Sequence, residues 1–413
     1  MSDLNRAREF GFPVVGMVGA GQLARMTAQA AVALGVEFRV LAASLAESAA
    51  QVCPGTVIGD YKSAGDLLGF GIGCDVVTFD HEHVPGAQLA VLSEVTAVRP
   101  GREALVYAQD KLAMRNRLSF LCESLCEQAA APALTDVRVR CPRFRPVGTL
   151  ADVLAFVADE HAISGRPEWP VVLKAVSGGY DGKGVWICDS KEAVSEVLSH
   201  GIGLLAEEFV PFDRELAVLA ARSPKGQGAV YPVVQTVQQD GICREVIAPA
   251  PGLASEVAEL AQWLGLRAAA ELGVTGLLAI ELFQCEKELV VNELAMRPHN
   301  SGHWTMDASV TSQFEQHLRA VLDLPLGATA CTSGAAVMVN VLGGDDPDLY
   351  SRFIHVMAAD PGVKVHMYGK QVKPGRKVGH VTVAGEGSDV ERLRDRAWRA
   401  ANFLSLGTEE PAT

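Results

Sequence analysis

Two short apolar runs, Val171–Val176 and Val185–Cys188, enclose Ser177-Gly178-Gly179-Tyr180-Asp181-Gly182-Lys183-Gly184. Four glycines in the seven residues 178–184 exclude helix and regular strand, because glycine loses most entropy when ordered in either. A glycine-rich loop between two strands reads as a lid hairpin. Its backbone N–H groups and Lys183 can close over a polyphosphate. It is no Walker A loop, since no GKS/T ending opens a helix. Lys174 ends the first strand within reach of the same phosphates. The plainer reading is an ordinary hairpin turn.

A second hairpin carries charge. The runs Gly276–Cys285 and Glu288–Ala295 meet in a tight connection. A turn centred on Lys287 sets Glu281 opposite Glu293, side chains on one face and about 5 Å apart. With Ile280, Leu282 and Leu294 beside them, two such carboxylates repel unless a cation lies between them. Hard oxygen donors near a polyphosphate point to Mg²⁺. A solvated like-charge pair is the alternative. In a regular strand the neighbouring Asn292 projects the other way, so a contact from it requires a local distortion.

Directly after this strand stands Arg297-Pro298-His299-Asn300-Ser301-Gly302-His303-Trp304, a polar run with neither helical nor strand period. Beside a metal site, such a loop is expected to serve a ligand. His299 and His303 lie four apart, but no cysteine or HExxH context supports zinc. Further on, Lys370 to His380 forms a basic turn. In a chain of net charge −13 it can hold an anionic substrate or simply face water.

The N-terminal part alternates strand and helix: strand Pro13–Gly19, helix Gln22–Leu34, strand Val36–Ala42, strand Asp75–Phe79 and the loop Asp80–Pro85. This is parallel α/β order, with ligands at the carboxyl ends of the strands. The Gly19-x-Gly21-x-x-Ala24 turn can seat a substrate phosphate at a helix N-terminus or be purely structural. A nicotinamide dinucleotide is disfavoured, because the second strand ends Val40-Leu41-Ala42-Ala43-Ser44 without an acid. A helix from Ala104 to Leu121 closes the unit, and Cys122–Pro146 reads as a linker. The 413 residues exceed a single core. Four parts are expected: a Rossmann-like domain over 1–121, a linker or loop insertion over 122–148, a central α+β domain over 149–332 with its lid near 149–210, and a small β-rich C-terminal domain over 333–413. That third segment should carry strands Ala335–Leu342, Val363–Tyr368 and Val378–Ala384. The negative charge disfavours nucleic acid and membrane partners. Met1–Glu9 lacks a signal-peptide core. Nine scattered cysteines without a CxxC pair fit reduced cytoplasmic thiols.

These motifs, in this order, resemble one family. Gly21-Gln22-Leu23-x-Arg25-Met26, the 178–184 loop, Asn292-Glu293-Leu294-Ala295-x-Arg297, His299–Trp304 and Pro374-Gly375-Arg376-Lys377-Val378-Gly379-His380 are similar to the N5-carboxyaminoimidazole ribonucleotide synthases of the ATP-grasp superfamily. The likeness runs from about Pro13 to Ala384. It implies a Rossmann-like N-terminal domain, a central ATP-grasp domain with a lid and a small C-terminal domain. It also implies an ATP- and bicarbonate-dependent carboxylation of aminoimidazole ribonucleotide, by a cytoplasmic homodimer using ATP and two Mg²⁺ ions. By the same resemblance, Lys111, Lys174 and Gly178, Gly179, Tyr180, Asp181, Gly182, Lys183 and Gly184 hold nucleotide phosphates. Glu207, Glu208, Phe209 and Val210 form the adenine hinge, with Glu215, Gln238 and Asn292 also at the nucleotide. Glu281 and Glu293 take the metal. Arg297, His299 and Lys377 are the catalytic expectations. Gln22, Glu82, Tyr180, Asp181, Asn300, Ser301, Arg376 and Lys377 meet the ribonucleotide. The competing readings are another ATP-grasp ligase, such as a formate-dependent glycinamide ribonucleotide transformylase or a biotin carboxylase, and a nucleotide-binding regulator without catalysis.

Overall fold

The computed structural model describes residues 11–128, 136–165, 167–178, 184–386 and 389–408. Strands β1 (Val14–Val18), β2 (Glu37–Ala42), β3 (Gly55–Ile58), β4 (Val76–Phe79) and β5 (Ala97–Val98) form a parallel sheet in the order β3-β2-β1-β4-β5. All five β1 residues are buried, as expected for a strand covered on both faces. Helix α1 (Gln22–Leu34) leaves β1 and ends at Gly35, whose φ of 69° makes the left-handed cap. The strand order reverses around β1, so the loops after β1 and β4 share one crevice. Helices α2 (Ala64–Gly71) and α3 (Gly86–Leu92) and strands β3 and β5 were not expected; they are too short to show a clear apolar period.

The helix expected over Ala104–Leu121 is two helices, α4 (Arg102–Gln109) and α5 (Lys111–Gln128). Asp110 between them is extended (φ −127°, ψ 107°) and bridges Ser177. The Lys111 N–H donates to the Val176 carbonyl at 2.8 Å. This break sets Lys111 at the start of α5, against the strand that carries Lys174.

The stretch read as a linker is largely structured. Among its described residues it holds the end of α5, then β6 (Arg138–Arg140), the edge strand of the central sheet and parallel to its neighbour there, and β7 (Phe144–Val147). Strand β7 edges a four-stranded sheet, order β7-β10-β8-β9, with β8 (Val171–Ala175), β9 (Val185–Cys188) and β10 (Leu204–Glu208). Helices α6 (Leu150–Ser164) and α7 (Lys191–Leu198) cover it through Val153, Phe156 and Val194. Thr149 and Asp152 close a capping box on α6.

The central sheet has ten strands. Their path is β18-β19-β17-β14-β13-β11-β15-β16-β6, with β12 beside β11. Besides β6 they are β11 (Arg214–Arg222), β12 (Gly228–Val230), β13 (Val234–Gln239), β14 (Ile242–Ala248), β15 (Gly276–Cys285), β16 (Glu288–Ala295), β17 (Ala335–Leu342), β18 (Lys364–Met367) and β19 (Lys377–Gly385). Strands β12 and β13 are separated around Pro232, which has no N–H for a ladder. Helix α8 (Ser255–Glu271) packs on β11 and β15. After β16 come α9 (Thr305–Ala308) and α10 (Gln313–Val321), the latter absent from the sequence expectations. The last segment shares this sheet, because β17 pairs with β14. Its own core lies between β17, β19 and the closing helix α12 (Val390–Leu406), which follows the short α11 (Phe353–Ala359).

Candidate active site

The carboxylate hairpin is irregular, and the irregularity makes the site. Cys285 pairs with Glu288 and Leu282 with Val291, a register that continued regularly would set Asn292 opposite Glu281. A bulge between Glu281 and Leu282 pairs Glu281 with Glu293 instead, leaving Asn292 as the extra residue. The expected opposition is therefore present, but the bulge produces it; a symmetric turn about Lys287 does not. The distortion also turns Asn292 inward. Its amide nitrogen lies 3.4 Å from Glu281 Oε2, and its oxygen accepts from Lys174 Nζ at 3.1 Å.

Burial, then the nearby Glu293 and Glu215, push the Glu281 carboxyl up to about 7. Burial raises Glu215 to about 7 as well, opposed by the Gln238 backbone N–H that donates to it. A ladder irregularity at Val237/Gln238 lies where that N–H meets Glu215. Glu215 stands on β11, two residues from Ala217, the partner of Glu281, so both project from one face. Among the described residues no three acidic, histidine or cysteine side chains converge as a metal cage. Two facing carboxylates and an amide oxygen suit an ion that completes its shell with water and phosphate oxygens, the habit of Mg²⁺.

Two lysines close the carboxylate cluster. Lys111 Nζ donates to Glu293 Oε1. Lys174 is buried, 2.9 Å from Glu207, and burial lowers its pKa against the pull of Glu207. Burial alone would raise Glu207, but Arg115 and Lys174 outweigh it and hold the carboxyl down to about 2. Glu208 points the other way, to Arg140 and to Arg143 at 2.9 Å. The side chains of Glu207 and Glu208 are thus committed to ion pairs. Gly178 and Gly184 adopt φ of 75° and 78° at the ends of the lid loop. Gly179, Tyr180, Asp181, Gly182 and Lys183 lie outside the described residues.

The polar run after β16 folds back over the carboxylates. His299 Nε2 lies 3.5 Å from Glu281 Oε1, and its Nδ1 meets Ser301 Oγ at 2.9 Å. Ser301 is buried, and its hydroxyl orients His299. Asn300 exchanges amide hydrogen bonds with Asn340 at 3.0 and 2.7 Å and ties the loop to β17. Gln313, fully buried on α10, accepts from the His299 N–H at 2.9 Å and donates to the His299 carbonyl at 2.8 Å. Arg297 Nε donates to Glu82 at 2.8 Å, and the other Glu82 oxygen accepts from the Met296 N–H at 2.9 Å. The loop after β4 is thereby joined to this one.

The Gly19–Gly21 turn does not offer an open phosphate seat. The Gly21 and Ala24 N–H groups donate to the Asp80 carboxylate at 2.6 and 3.1 Å. A Cβ on Gly21 would sit 2.3 Å from that oxygen, which explains the glycine. The basic turn divides by position. Lys370 donates to Gln22, and Lys377 at the start of β19 is close enough to act on Glu281. Arg376 is exposed, donating to the Gln371 carbonyl at 3.3 Å, so of the two basic residues Lys377 faces the cleft. Arg115, Gln313, Asn340 and Asp80 were not foreseen. Only the spacing of Lys111 and Arg115, one helical turn apart, could have drawn attention to Arg115.

A four-stranded lid sheet over a central sheet, with lysines and carboxylates between them, is an ATP-grasp arrangement. Residues 133–314 match the ATP-grasp domain, 13–109 the ribonucleotide synthetase preATP-grasp domain, and 336–396 the phosphoribosylaminoimidazole carboxylase C-terminal domain. The chain is an ATP-dependent ligase of this class. It is 49% identical over 410 residues to N5-carboxyaminoimidazole ribonucleotide synthase of Mycobacterium leprae, covering 96% of this chain and 90% of the relative. The synthase of Mycobacterium tuberculosis is 50% identical over 404 residues, with 96% and 88% covered. The crystal structure of the Thermus thermophilus synthetase superposes with a TM-score of 0.79 at 37% identity, covering 97% of this chain and 100% of that one. The Aspergillus clavatus synthase, in complex with ADP and 5-aminoimidazole ribonucleotide, gives 0.79 at 28% identity, with 96% and 99% covered. The chain belongs to the N5-carboxyaminoimidazole ribonucleotide synthase family, which places it in purine biosynthesis.

Proposed function

We propose that the enzyme uses ATP to join bicarbonate to the 5-amino group of 5-aminoimidazole ribonucleotide, releasing ADP and phosphate. The observation that carries the ATP half is the opposed Glu281–Glu293 pair with Lys111 and Lys174 beneath the lid sheet. Bicarbonate is a poor electrophile. An oxygen of bicarbonate attacking the γ-phosphorus gives carboxyphosphate and ADP. The substrate amine then attacks the carboxyl carbon, and phosphate departs. Phosphoryl transfer of this kind depends on alignment and charge neutralisation more than on covalent help.

On this reading Lys111 and Lys174 exchange their carboxylate and amide partners for nucleotide phosphates. Glu281 and Glu293, helped by Asn292, hold Mg²⁺, which when bound neutralises charge on the phosphates. Arg297, already oriented by Glu82, clamps bicarbonate, and His299 stands beside Glu281 to handle its proton. Lys377, Gln22 and Glu82 line the side where the ribonucleotide enters, and the closed lid keeps water from carboxyphosphate. The reading extends to a homodimer working in the cytoplasm.

The test measures ADP release with three pairs of acceptor and one-carbon donor: aminoimidazole ribonucleotide with bicarbonate, glycinamide ribonucleotide with formate, and biotin with bicarbonate. Only the first should support turnover. Faster turnover with either other pair would replace this assignment.

A further inference from the structure

We propose that Arg115, which touches no substrate, is the residue that holds the metal-site carboxylates in opposition. Arg115 lies on α5 one turn beyond Lys111 and is fully buried. Its guanidinium donates from Nε to Glu207 Oε1 at 2.6 Å and from one terminal nitrogen to Glu207 Oε2 at 3.1 Å. That terminal nitrogen also donates to the Asn292 carbonyl at 2.6 Å, and the other terminal nitrogen donates to the Val291 carbonyl at 2.7 Å. Those are the consecutive carbonyls at the bulge.

A bulge disrupts the ladder and leaves backbone groups in need of partners. Here one side chain supplies them. If β16 relaxed into the regular register set by Cys285–Glu288, Asn292 would face Glu281 and Glu293 would turn to the opposite face of the sheet. The bulge therefore determines whether the carboxylates meet, and Arg115 braces it. Its other end fixes Glu207, which is paired with Lys174. One planar fork thus locks a phosphate lysine and both metal carboxylates into one geometry. Lysine cannot substitute, because a single nitrogen cannot span a carboxylate and two carbonyls.

The inference rests on the metal reading above, so the test follows metal dependence in the full-length enzyme. ADP formation with saturating ATP, ribonucleotide and bicarbonate is titrated with Mg²⁺ for the wild type, Arg115→Lys, Arg115→Gln and Arg117→Ala. Arg117 is a control on the same helix, partly exposed and paired with Glu271 at 2.8 Å. Arg115→Lys should still melt cooperatively. It should lose about tenfold or more in kcat and need about tenfold more Mg²⁺ for half-saturation, the scale on which groups orienting metal ligands act. Arg117→Ala should match the wild type. Unshifted half-saturation in both Arg115 variants, or failure of both to fold, would assign Arg115 a purely structural role. A wild type that turns over without divalent metal would instead remove the metal reading itself.

Discussion

Replacing Glu281 by glutamine should make the metal-free protein more stable and nearly inactive. The stability effect follows from the position of the charge. In the unfolded chain the carboxyl titrates near its ordinary value of 4.5; in the fold, burial and the like charges of Glu293 and Glu215 carry it up to about 7. Between these values the folded protein retains a proton that the unfolded chain has lost, so stability falls as pH rises across the window. By pH 8 the deficit is about 3 kcal/mol, an upper figure because the carboxyl retains some access to solvent. Glu281→Gln keeps the shape and removes the charge. Urea unfolding in EDTA should show the variant more stable by about 1–3 kcal/mol at pH 8 and close to the wild type at pH 4.5. ADP formation should drop by at least about 100-fold, because a metal ligand is lost. A variant equally or less stable than the wild type at pH 8 would refute the argument that Glu281 is an uncompensated charge.

Three further substitutions probe separate parts of the site. Arg297→Ala should keep the fold, since Glu82 retains the Met296 N–H, yet lose carboxylation by at least about 100-fold; normal carboxylation would sink the clamp assignment. Gln313→Leu strips the His299 N–H and carbonyl of a buried partner and should cost about 2–5 kcal/mol in urea unfolding together with activity. Wild-type stability would show that Gln313 does not brace the loop. Gly21→Ala drives a Cβ into the Asp80 carboxylate and should cost about 1–3 kcal/mol by loss of the helix cap; an unchanged unfolding midpoint would mean that Asp80 is dispensable there.

The elements with a clear period were legible in the sequence. Helix α1 and strands β15, β16 and β17 have the expected bounds because each is long and apolar in a regular pattern. The short elements of the N-terminal sheet carry too few residues to show a period, and α10 buries Gln313, Gln316 and His317, polar residues that look like surface in a sequence. The linker reading failed because Arg138, Arg140, Arg143 and Arg145 resemble a solvated stretch. Three of them are held in ion pairs, to Glu208 and Glu288, to Glu160 and to Asp159.

For the site, residue types identified the carboxylates and lysines, while their arrangement depended on distant partners. No local pattern marks a bulge stabilised from α5, an amide on α10 that grips His299, or an aspartate after β4 that fills the N-terminus of α1. The partners of Asn300 and Ser301, Asn340 and His299, were illegible for the same reason. A polar residue in a motif can hold the motif together as readily as it can hold a ligand.

The central claim is that ATP activates bicarbonate for transfer to an amine. Bicarbonate labelled with ¹⁸O tests it most directly. If carboxyphosphate forms, each ADP should be accompanied by one phosphate carrying one ¹⁸O, and the remaining label should appear in the carboxylated ribonucleotide. Phosphate free of label, released at the same rate as ADP, would show that water attacks ATP and would contradict the account.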